Sequence, residues 1–180
     1  MRIGVLLALA AALVGLPAGC GGRAPEANTP EAAMTITLSS TAFAEGDDIP
    51  RRYTCDGENV SPPLSFAGVP ADSQDLALLV EDPDAPGGTF VHWVAWGIDP
   101  SKGALAEGES PSGTGTNGFR RRGYGGPCPP KGAPHRYVFT VFAVSRRLDL
   151  APGASADDLR RAVGGALIAE GRLVGRYARA

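Results

Sequence analysis

The sequence predicts a β-rich domain, and three observations support that fold class. Apolar runs bounded by turn-forming residues occur at residues 76–80, 90–98 and 137–144 and are typical of buried strands. Only the segment after Ser155 has the apolar spacing of a clear helix. The chain has 180 residues, 43% hydrophobic and 20% charged, which suits one globular domain with a single core. Because strands outnumber helices, we expect a sheet structure with a few short peripheral helices.

The N-terminal segment predicts export. A short basic start precedes an apolar run that is too brief to span a bilayer, which indicates a signal peptide over residues 1–19. The sequence Leu16-Pro-Ala-Gly-Cys20 resembles the lipobox of bacterial lipoproteins, in which the cysteine is acylated and becomes the new N-terminus. We therefore predict a lipoprotein anchored through Cys20 to the periplasmic or extracellular side of a membrane. Cleavage near Ala18, which would release a soluble secreted protein, is the alternative.

A tether and one domain are predicted to follow the signal peptide. Residues 20–33 are rich in Gly, Pro, Ala and Glu and have no apolar period, which indicates a flexible tether, and residues 34–180 are predicted to form a single domain. If Cys20 is acylated, Cys55 and Cys128 remain as an even pair in an oxidising compartment. They are either a disulfide or two unrelated buried thiols. Export and cysteine parity motivate the disulfide as our prediction.

The first strand and the first long loop come next in the chain. Residues 34–39 alternate as a half-buried strand does, with Ile36 and Leu38 on one face. Residues 45–66 contain Asp-Gly and Pro-Pro pairs, which indicate a long loop before a short strand. This loop is predicted to be too polar to belong to the core.

Two acidic residues leave the end of the buried strand at residues 76–80. Asp82 and Asp84 are predicted to have fixed positions, because Pro83 and Pro86 restrict the backbone around them. His92 lies on the next predicted strand, among apolar neighbours. A single histidine on such a face is commonly a core residue, so that a core role and a role in a site both remain open.

A loop dense in glycine and proline precedes the third predicted strand. The composition of residues 123–136 indicates one stiff, irregular loop that presents backbone N–H groups, as anion sites do. His135 and Tyr137 lie where this loop enters the strand. Arg120-Arg-Arg122, just before the loop, are interpreted as solvated residues, with steering of anions toward the neighbouring cleft as the alternative.

The loops predict that Asp82, Asp84, His92, His135 and Tyr137 converge as a polar cluster in an apolar cleft. Such a cluster is the usual form of a small-molecule site. Two histidines and one aspartate would also suffice for zinc, so that a metal-dependent or acid–base hydrolase using His92, His135 and Asp82 is the alternative function. Their spacing in the sequence matches no metal motif, and we predict neither a metal nor another cofactor.

Other patterns argue against several function classes. Residues 113–118 match G-x-G-x-x-G, but no predicted strand precedes them and no predicted helix follows, so that they are interpreted as a loop. No nucleophile elbow or comparable signature occurs, which gives nucleophilic hydrolysis no support. The formal net charge of −2 predicts no nucleic-acid partner.

The clearest predicted helix begins at Ser155, an N-cap with Asp158 three residues later. Apolar residues follow at helical spacing, namely Leu159, Ala162, Val163, Ala166 and Leu167. The helix is predicted to end at Gly171, and residues 172–177 are predicted to return to the sheet.

Three motifs are spaced along the chain as Asp82-Pro-Asp-Ala-Pro86, Val91-His-Trp93 and Gly126-Pro-Cys-Pro-Pro-Lys-Gly-Ala-Pro-His-Arg-Tyr137. Together they resemble the phosphatidylethanolamine-binding protein (PEBP) family, and most of all its bacterial Raf-kinase-inhibitor-like branch. The resemblance runs from about Ile36 to Tyr177. Phe66 departs from it, since the branch commonly has tryptophan there.

The resemblance implies a β-sandwich with a small anion-binding pocket, in which family members bind phosphate, phosphoethanolamine or similar ions. The residues that it places at the ligand are Asp82, Asp84, His92, Gly126, Pro127, His135 and Tyr137. We therefore predict a non-enzymatic binding module for a small anion or a phospholipid headgroup. The family also includes inhibitors of kinases and proteases, which implies a role as inhibitor or regulator of a partner protein in the cell envelope, its identity open.

Overall fold

Two β-sheets and one α-helix make up the fold in a computed structural model that describes residues 34–179. The strands are β1 (Met34–Thr35), β2 (Thr37–Ser39), β3 (Leu64–Ala67), β4 (Asp75–Asp82), β5 (Phe90–Ile98), β6 (Ala104–Leu105), β7 (Gly113–Thr114), β8 (His135–Val144) and β9 (Leu167–Tyr177). The helix is α1 (Ala156–Gly164), and short 3₁₀ turns occur at Arg51–Tyr53 and Pro100–Lys102. The predicted signal peptide, the lipidated Cys20 and the tether lie outside the described residues.

The larger sheet has six strands in the order β1-β9-β8-β4-β5-β7, and the smaller sheet has three in the order β2-β3-β6. Neighbouring strands run antiparallel except for β1 and β9, which are parallel. The predicted strands at residues 76–80, 90–98 and 137–144 are β4, β5 and β8, the adjacent strands of the larger sheet. The β-rich fold class is therefore confirmed.

The larger sheet is buried on both faces, and β4 shows why its sequence is continuously apolar. Leu78 and Val80 face the core shared with the smaller sheet, whereas Ala77 and Leu79 face a second core beneath α1. Side chains alternate with a period of two along a strand, so that a strand between two apolar layers needs no polar positions. The resulting order of layers is small sheet, large sheet and helix.

The predicted first strand is divided between the two sheets. Met34–Thr35 pairs with β9 of the larger sheet, whereas Thr37–Ser39 pairs with β3 of the smaller one. Ile36 lies at the crossing, where its N–H donates to the carbonyl of Glu170 at 2.9 Å. Ile36 and Leu38 are both buried in the core between the sheets, as the alternation predicted.

The loop over residues 45–66 contributes to the core, contrary to the sequence-based expectation. Tyr53 is 8% exposed and Thr54 is fully buried. The hydroxyl of Tyr53 donates to Glu107 at 2.9 Å, and that of Thr54 donates to the carbonyl of Arg51 at 2.8 Å. Because these hydroxyls find partners, a polar loop can cover apolar side chains without leaving polar atoms unsatisfied.

The helix begins as predicted but ends seven residues earlier than Gly171. Ser155 and Asp158 form a capping box, and the helix ends at Gly164 with Gly165 as its C-cap. Two consecutive glycines disfavour continuation of a helix, and this signal was overlooked because the apolar spacing continues to Leu167. Leu167 instead opens β9. In residues 34–179, no helix is long and apolar enough to cross a membrane.

Gly171 has a different role, because it lies in β9 where the first strand crosses. A Cβ atom there would lie 2.0 Å from the carbonyl oxygen of Ile36. We expect Gly171→Ala to lower the free energy of unfolding by about 2–3 kcal/mol, since backbone must move to admit the methyl group. Gly164→Ala is the matched control, because no atom outside its chain neighbours and its own helix backbone lies within 4 Å of its Cβ position. Urea denaturation would measure both, and equal stability of the two variants would contradict the assignment.

Candidate functional site

A cavity of about 140 Å³ lies at one end of the three adjacent strands β4, β5 and β8. Since β4 runs antiparallel to both neighbours, the end of β4 meets the starts of β5 and β8. This arrangement brings together Asp82, His92 and His135, as the sequence predicted. The remaining lining residues are Ala85, Pro86, Phe90, Phe119, Cys128, Pro129 and Pro130.

Asp82 is buried, and both of its carboxylate oxygens accept hydrogen bonds. Oδ1 accepts from the backbone N–H of Asp84 at 2.8 Å, and Oδ2 accepts from Nδ1 of His135 at 2.7 Å. The first bond is local, two residues along the chain, and forms an Asx turn around Pro83. The second bond fixes the imidazole of His135 with a proton on Nδ1, which leaves Nε2 as its remaining nitrogen.

His92 is 2% exposed, and its Nδ1 donates to the carbonyl oxygen of Gly125 at 2.6 Å. Burial lowers the pKa of His92, so that the neutral form is favoured. A neutral imidazole with its proton on Nδ1 offers Nε2 as a hydrogen-bond acceptor. The ring packs edge-on against Tyr137, with ring centroids 5.1 Å apart, and against Phe119, with centroids 5.5 Å apart. His92 is thus a core residue and also lines the cavity.

Asp84 does not line the cavity, because Arg136 binds its carboxylate. Oδ2 accepts from the backbone N–H and from Nε of Arg136, both at 2.9 Å, and Oδ1 accepts from Nη2 at 2.6 Å. These hydrogen bonds lower the pKa of Asp84. The ion pair fixes the loop between β4 and β5 to the start of β8. A direct ligand contact by Asp84 remains a prediction.

Three further predicted ligand residues also lie outside the cavity lining. The N–H of Gly126 donates to Oδ1 of Asn59 at 2.7 Å, and the carbonyl of Pro127 accepts from the N–H of Cys55 at 3.0 Å. Tyr137 is fully buried, its hydroxyl has no hydrogen-bond partner among the described residues, and burial raises its pKa. Gly126 and Pro127 therefore support the loop, and their ligand contacts, like that of Tyr137, remain predictions.

Phe119 is the main cavity residue that sequence reasoning missed. Its ring is 40% exposed and packs edge-on against Phe90, with centroids 4.8 Å apart. Asn117 fixes the loop, since its Oδ1 accepts from the N–H of Phe119 at 3.0 Å and of Arg121 at 3.1 Å. The Asn-Gly pair before Phe119 was a turn signal, but it carried no indication of which cleft the phenyl ring would enter.

The sequence profile of the phosphatidylethanolamine-binding protein family matches residues 39–178. This chain belongs to that family. Among its relatives is the UPF0098 protein of Methanothermobacter thermautotrophicus, which is 46% identical over 151 residues, or 80% of this chain and 99% of the relative. LppC of Mycobacterium tuberculosis, named as a candidate lipoprotein, is 40% identical over 185 residues, or 92% of each chain.

Two solved structures extend the family relationship to the fold. CT736 of Chlamydia trachomatis, described as a PEBP homologue, superposes with a TM-score of 0.77 at 38% identity. YbcL of E. coli, described as a new member of the mammalian PEBP family, superposes with a TM-score of 0.76 at 28% identity. Each match covers 81% of this chain and 99% of the other. The PEBP-like fold is therefore shown at the level of sequence and of structure.

The PEBP cavity of this chain has a disulfide in its wall. Cys55 and Cys128 are joined with their Cα atoms 5.4 Å apart, and 73 positions separate them in the sequence. Cys128 lines the cavity, whereas Cys55 follows the 3₁₀ turn at Arg51–Tyr53. The bond therefore links the proline-rich loop to the polar loop that covers the core.

The arrangement of the His, Cys, Asp and Glu side chains bears on the zinc alternative. In the part of the chain that the structure describes, no group of three or more His, Cys, Asp or Glu side chains is arranged to hold a metal ion. Nδ1 of His92 and Nδ1 of His135 are each engaged, with a carbonyl and a carboxylate respectively.

The lowered pKa of His92 predicts a pH dependence of stability. In an unfolded chain histidine titrates near pH 6.5, so that below this pH the unfolded state binds more protons than the folded state. The free energy of unfolding should therefore fall as the pH drops from about 7.5 to about 5.5. His92→Gln, which removes the titrating group, should show a smaller fall over the same range. Urea denaturation at both pH values would measure the difference, and parallel curves would contradict it.

Proposed function

We propose that this protein is a non-enzymatic binding module whose cavity holds a small oxyanion, either free phosphate or the phosphate of a phospholipid headgroup. The observation that carries the proposal is the pair of buried Asp82 and half-buried His135 at the wall of a cavity of about 140 Å³. A cavity of this volume suits a phosphate ion or one phosphate group and is too small for a whole lipid. Membership of the phosphatidylethanolamine-binding protein family supports the same class of ligand.

His135 would supply the hydrogen-bond donor to the anion. Its Nδ1 proton is committed to Asp82, so that donation from Nε2 requires the imidazolium form. The carboxylate of Asp82 stabilises that positive charge, and a charge-assisted bond to an oxyanion is stronger than a neutral one.

The carboxylate of Asp82 need not repel the anion. Its two oxygens already accept from Asp84 and from His135, and the carboxylate and the imidazolium together form a neutral pair. Asp84, the second acid of the motif, is neutralised by Arg136. The two acids thus orient His135 and Arg136, so that an acidic motif is compatible with an anion site.

His92 would select ligands that carry a donor. Its free nitrogen is an acceptor, which suits the hydroxyl of hydrogen phosphate or the ammonium group of phosphoethanolamine. The exposed side chains around the cavity, Pro86, Phe119 and Pro130, are apolar and suit the methylene groups of a headgroup. Phosphate and phosphoethanolamine are therefore the two ligands to compare.

His135→Ala should weaken phosphate binding by at least about tenfold. A hydrogen bond to a charged group contributes roughly 1.5–3 kcal/mol, and 1.4 kcal/mol corresponds to a factor of ten. Isothermal titration calorimetry with inorganic phosphate would measure both affinities.

Asp84→Asn is the companion variant and tests whether Asp84 contacts the ligand directly, since its carboxylate bonds to Arg136 outside the cavity. It should lower stability slightly and leave phosphate affinity within about threefold, a change of less than 1 kcal/mol. Unchanged phosphate binding by His135→Ala would place the site elsewhere. Release of phosphate from phosphoethanolamine by the parent, lost in His135→Ala, would favour the hydrolase instead.

The same proposal includes anchorage to a membrane through Cys20. LppC matches 92% of this chain, so that only 8% of 180 residues, about 14, lie outside the match. Even if all of these residues preceded the match, the matched segment would include Cys20. The name of that relative supports the lipobox interpretation.

Cys20→Ser should move the protein from the membrane fraction to the soluble fraction, because acylation needs the thiol. Fractionation of a bacterial host, with metabolic labelling by a palmitate analogue, would measure both location and lipid. Cys55→Ser combined with Cys128→Ser is the control and should retain the label. Label on the parent and on Cys20→Ser alike would contradict lipidation at this position.

A further inference from the structure

A groove of about 730 Å³ lies at the opposite end of the larger sheet from the PEBP cavity. It is formed where β4 begins and β5 ends, together with β7 and the segment that follows β8. The 8 residues of β4 at about 3.3 Å each place its two ends roughly 23 Å apart. The volume lies in the usual range of small-molecule sites, and none of the predicted ligand residues of the PEBP cavity lines it.

The wall of the groove depends on two close approaches. A Cβ atom on Gly97 would lie 2.2 Å from Oγ of Ser112, and this hydroxyl donates to the carbonyl of Gly97 at 3.0 Å. A Cβ atom on Gly113 would lie 2.2 Å from Nε1 of Trp96. Glycine at both positions lets β7 lie directly against the end of β5. The close packing of β7 against β5 therefore fixes this wall of the groove.

The two arginines of the groove are carried by fixed segments. Asp75 is 4% exposed, and its Oδ2 accepts from the N–H of Leu148 at 3.0 Å, which holds the neighbouring Arg147 at the groove. The backbone of Arg122 forms a bridge with Thr116. Arg122 thus lines this groove and not the PEBP cavity.

Both arginines lack an anionic partner. Within residues 34–179, no carboxylate oxygen lies within 4.0 Å of the guanidinium of Arg122 or Arg147, whereas Arg136 and Arg160 form such pairs. Asp99 also lines the groove, but its Oδ1 accepts from the N–H of Ser101 at 2.8 Å and from its hydroxyl at 2.7 Å. The hydrogen bonds from Ser101 and, at longer range, Arg147 lower the pKa of Asp99, so that the charge of Arg147 is partly balanced by Asp99. Both guanidinium groups still form no direct ion pair among the described residues and can donate to a ligand.

Two hydroxyl groups at β7 also line the groove. They belong to Ser112 and Thr114. Ser73 lines the groove as well, but its Oγ is closed off from solvent and has no hydrogen-bond partner among the described residues, so that it offers no contact to a ligand.

We propose that this groove is a second ligand-binding site, for a small molecule that carries phosphate or carboxylate groups bound by Arg122 and Arg147. Arginine binds such groups through two parallel hydrogen bonds. The site is independent of the PEBP cavity, because the two share no lining residue.

Citrate is the probe, since it carries three carboxylates for two guanidinium groups. Binding to the full chain would be followed by calorimetry and by amide chemical shifts. The matched double variants are Arg122→Ala with Arg147→Ala, and Arg121→Ala with Arg146→Ala, which remove the same two charges from neighbouring positions outside the groove. We expect the first to weaken citrate binding at least tenfold and the second less than twofold.

Two further measurements locate the bound citrate on the protein. His135→Ala, in the PEBP cavity, should leave citrate binding unchanged. The amide signals of Gly113 and Leu148 should shift with citrate, and that of His135 should not. Equal weakening in both double variants, shifts confined to the PEBP cavity, or no binding of citrate by the parent would each overturn the proposal.

Discussion

The position of β4 between β5 and β8 is the constraint on which both the core and the cavity depend. Antiparallel pairing on each side aligns the end of β4 with the starts of its neighbours, so that Asp82, Phe90 and His135 meet although 53 positions separate the first from the last. The same pairing buries β4 on both faces, which demands apolar residues throughout its middle. Polar chemistry can therefore occur only where the strand ends.

A buried carboxylate at such a place is costly unless its oxygens are satisfied. Asp82 is 3% exposed, yet one oxygen is satisfied within two residues by Asp84 and the other by His135. Removal of either partner would leave a buried charge uncompensated, which costs more than the intact bond contributes. The two acids of the Asp-Pro-Asp sequence therefore have different roles. Asp82 orients His135 at the cavity, and Asp84 binds Arg136 outside it.

The sequence predicted the central strands and three residues of the cavity, because strand periodicity is a local property. β4, β5 and β8 followed from apolar runs, and Asp82, His92 and His135 followed from their places beside strand ends. The end of α1 was missed because apolar spacing outweighed the Gly164–Gly165 pair. The roles of Gly171 and Phe119 could not be predicted, since each depends on a contact with a segment distant in the chain, Ile36 in one case and Phe90 in the other.

Each end of β4 carries a buried carboxylate, and the two carboxylates are satisfied by different donors. Asp75 is the first residue of the strand and Asp82 the last, and both are buried. Asp75 holds the segment that follows β8, whereas Asp82 holds the start of β8. Asp75 accepts a backbone N–H, and burial raises its pKa, so that its role is to fix a loop. Asp82 accepts an imidazole, a group that can itself gain a proton. The chemical difference between the two ends therefore comes from the donor that each carboxylate meets, while the strand between them supplies the same rigid frame to both.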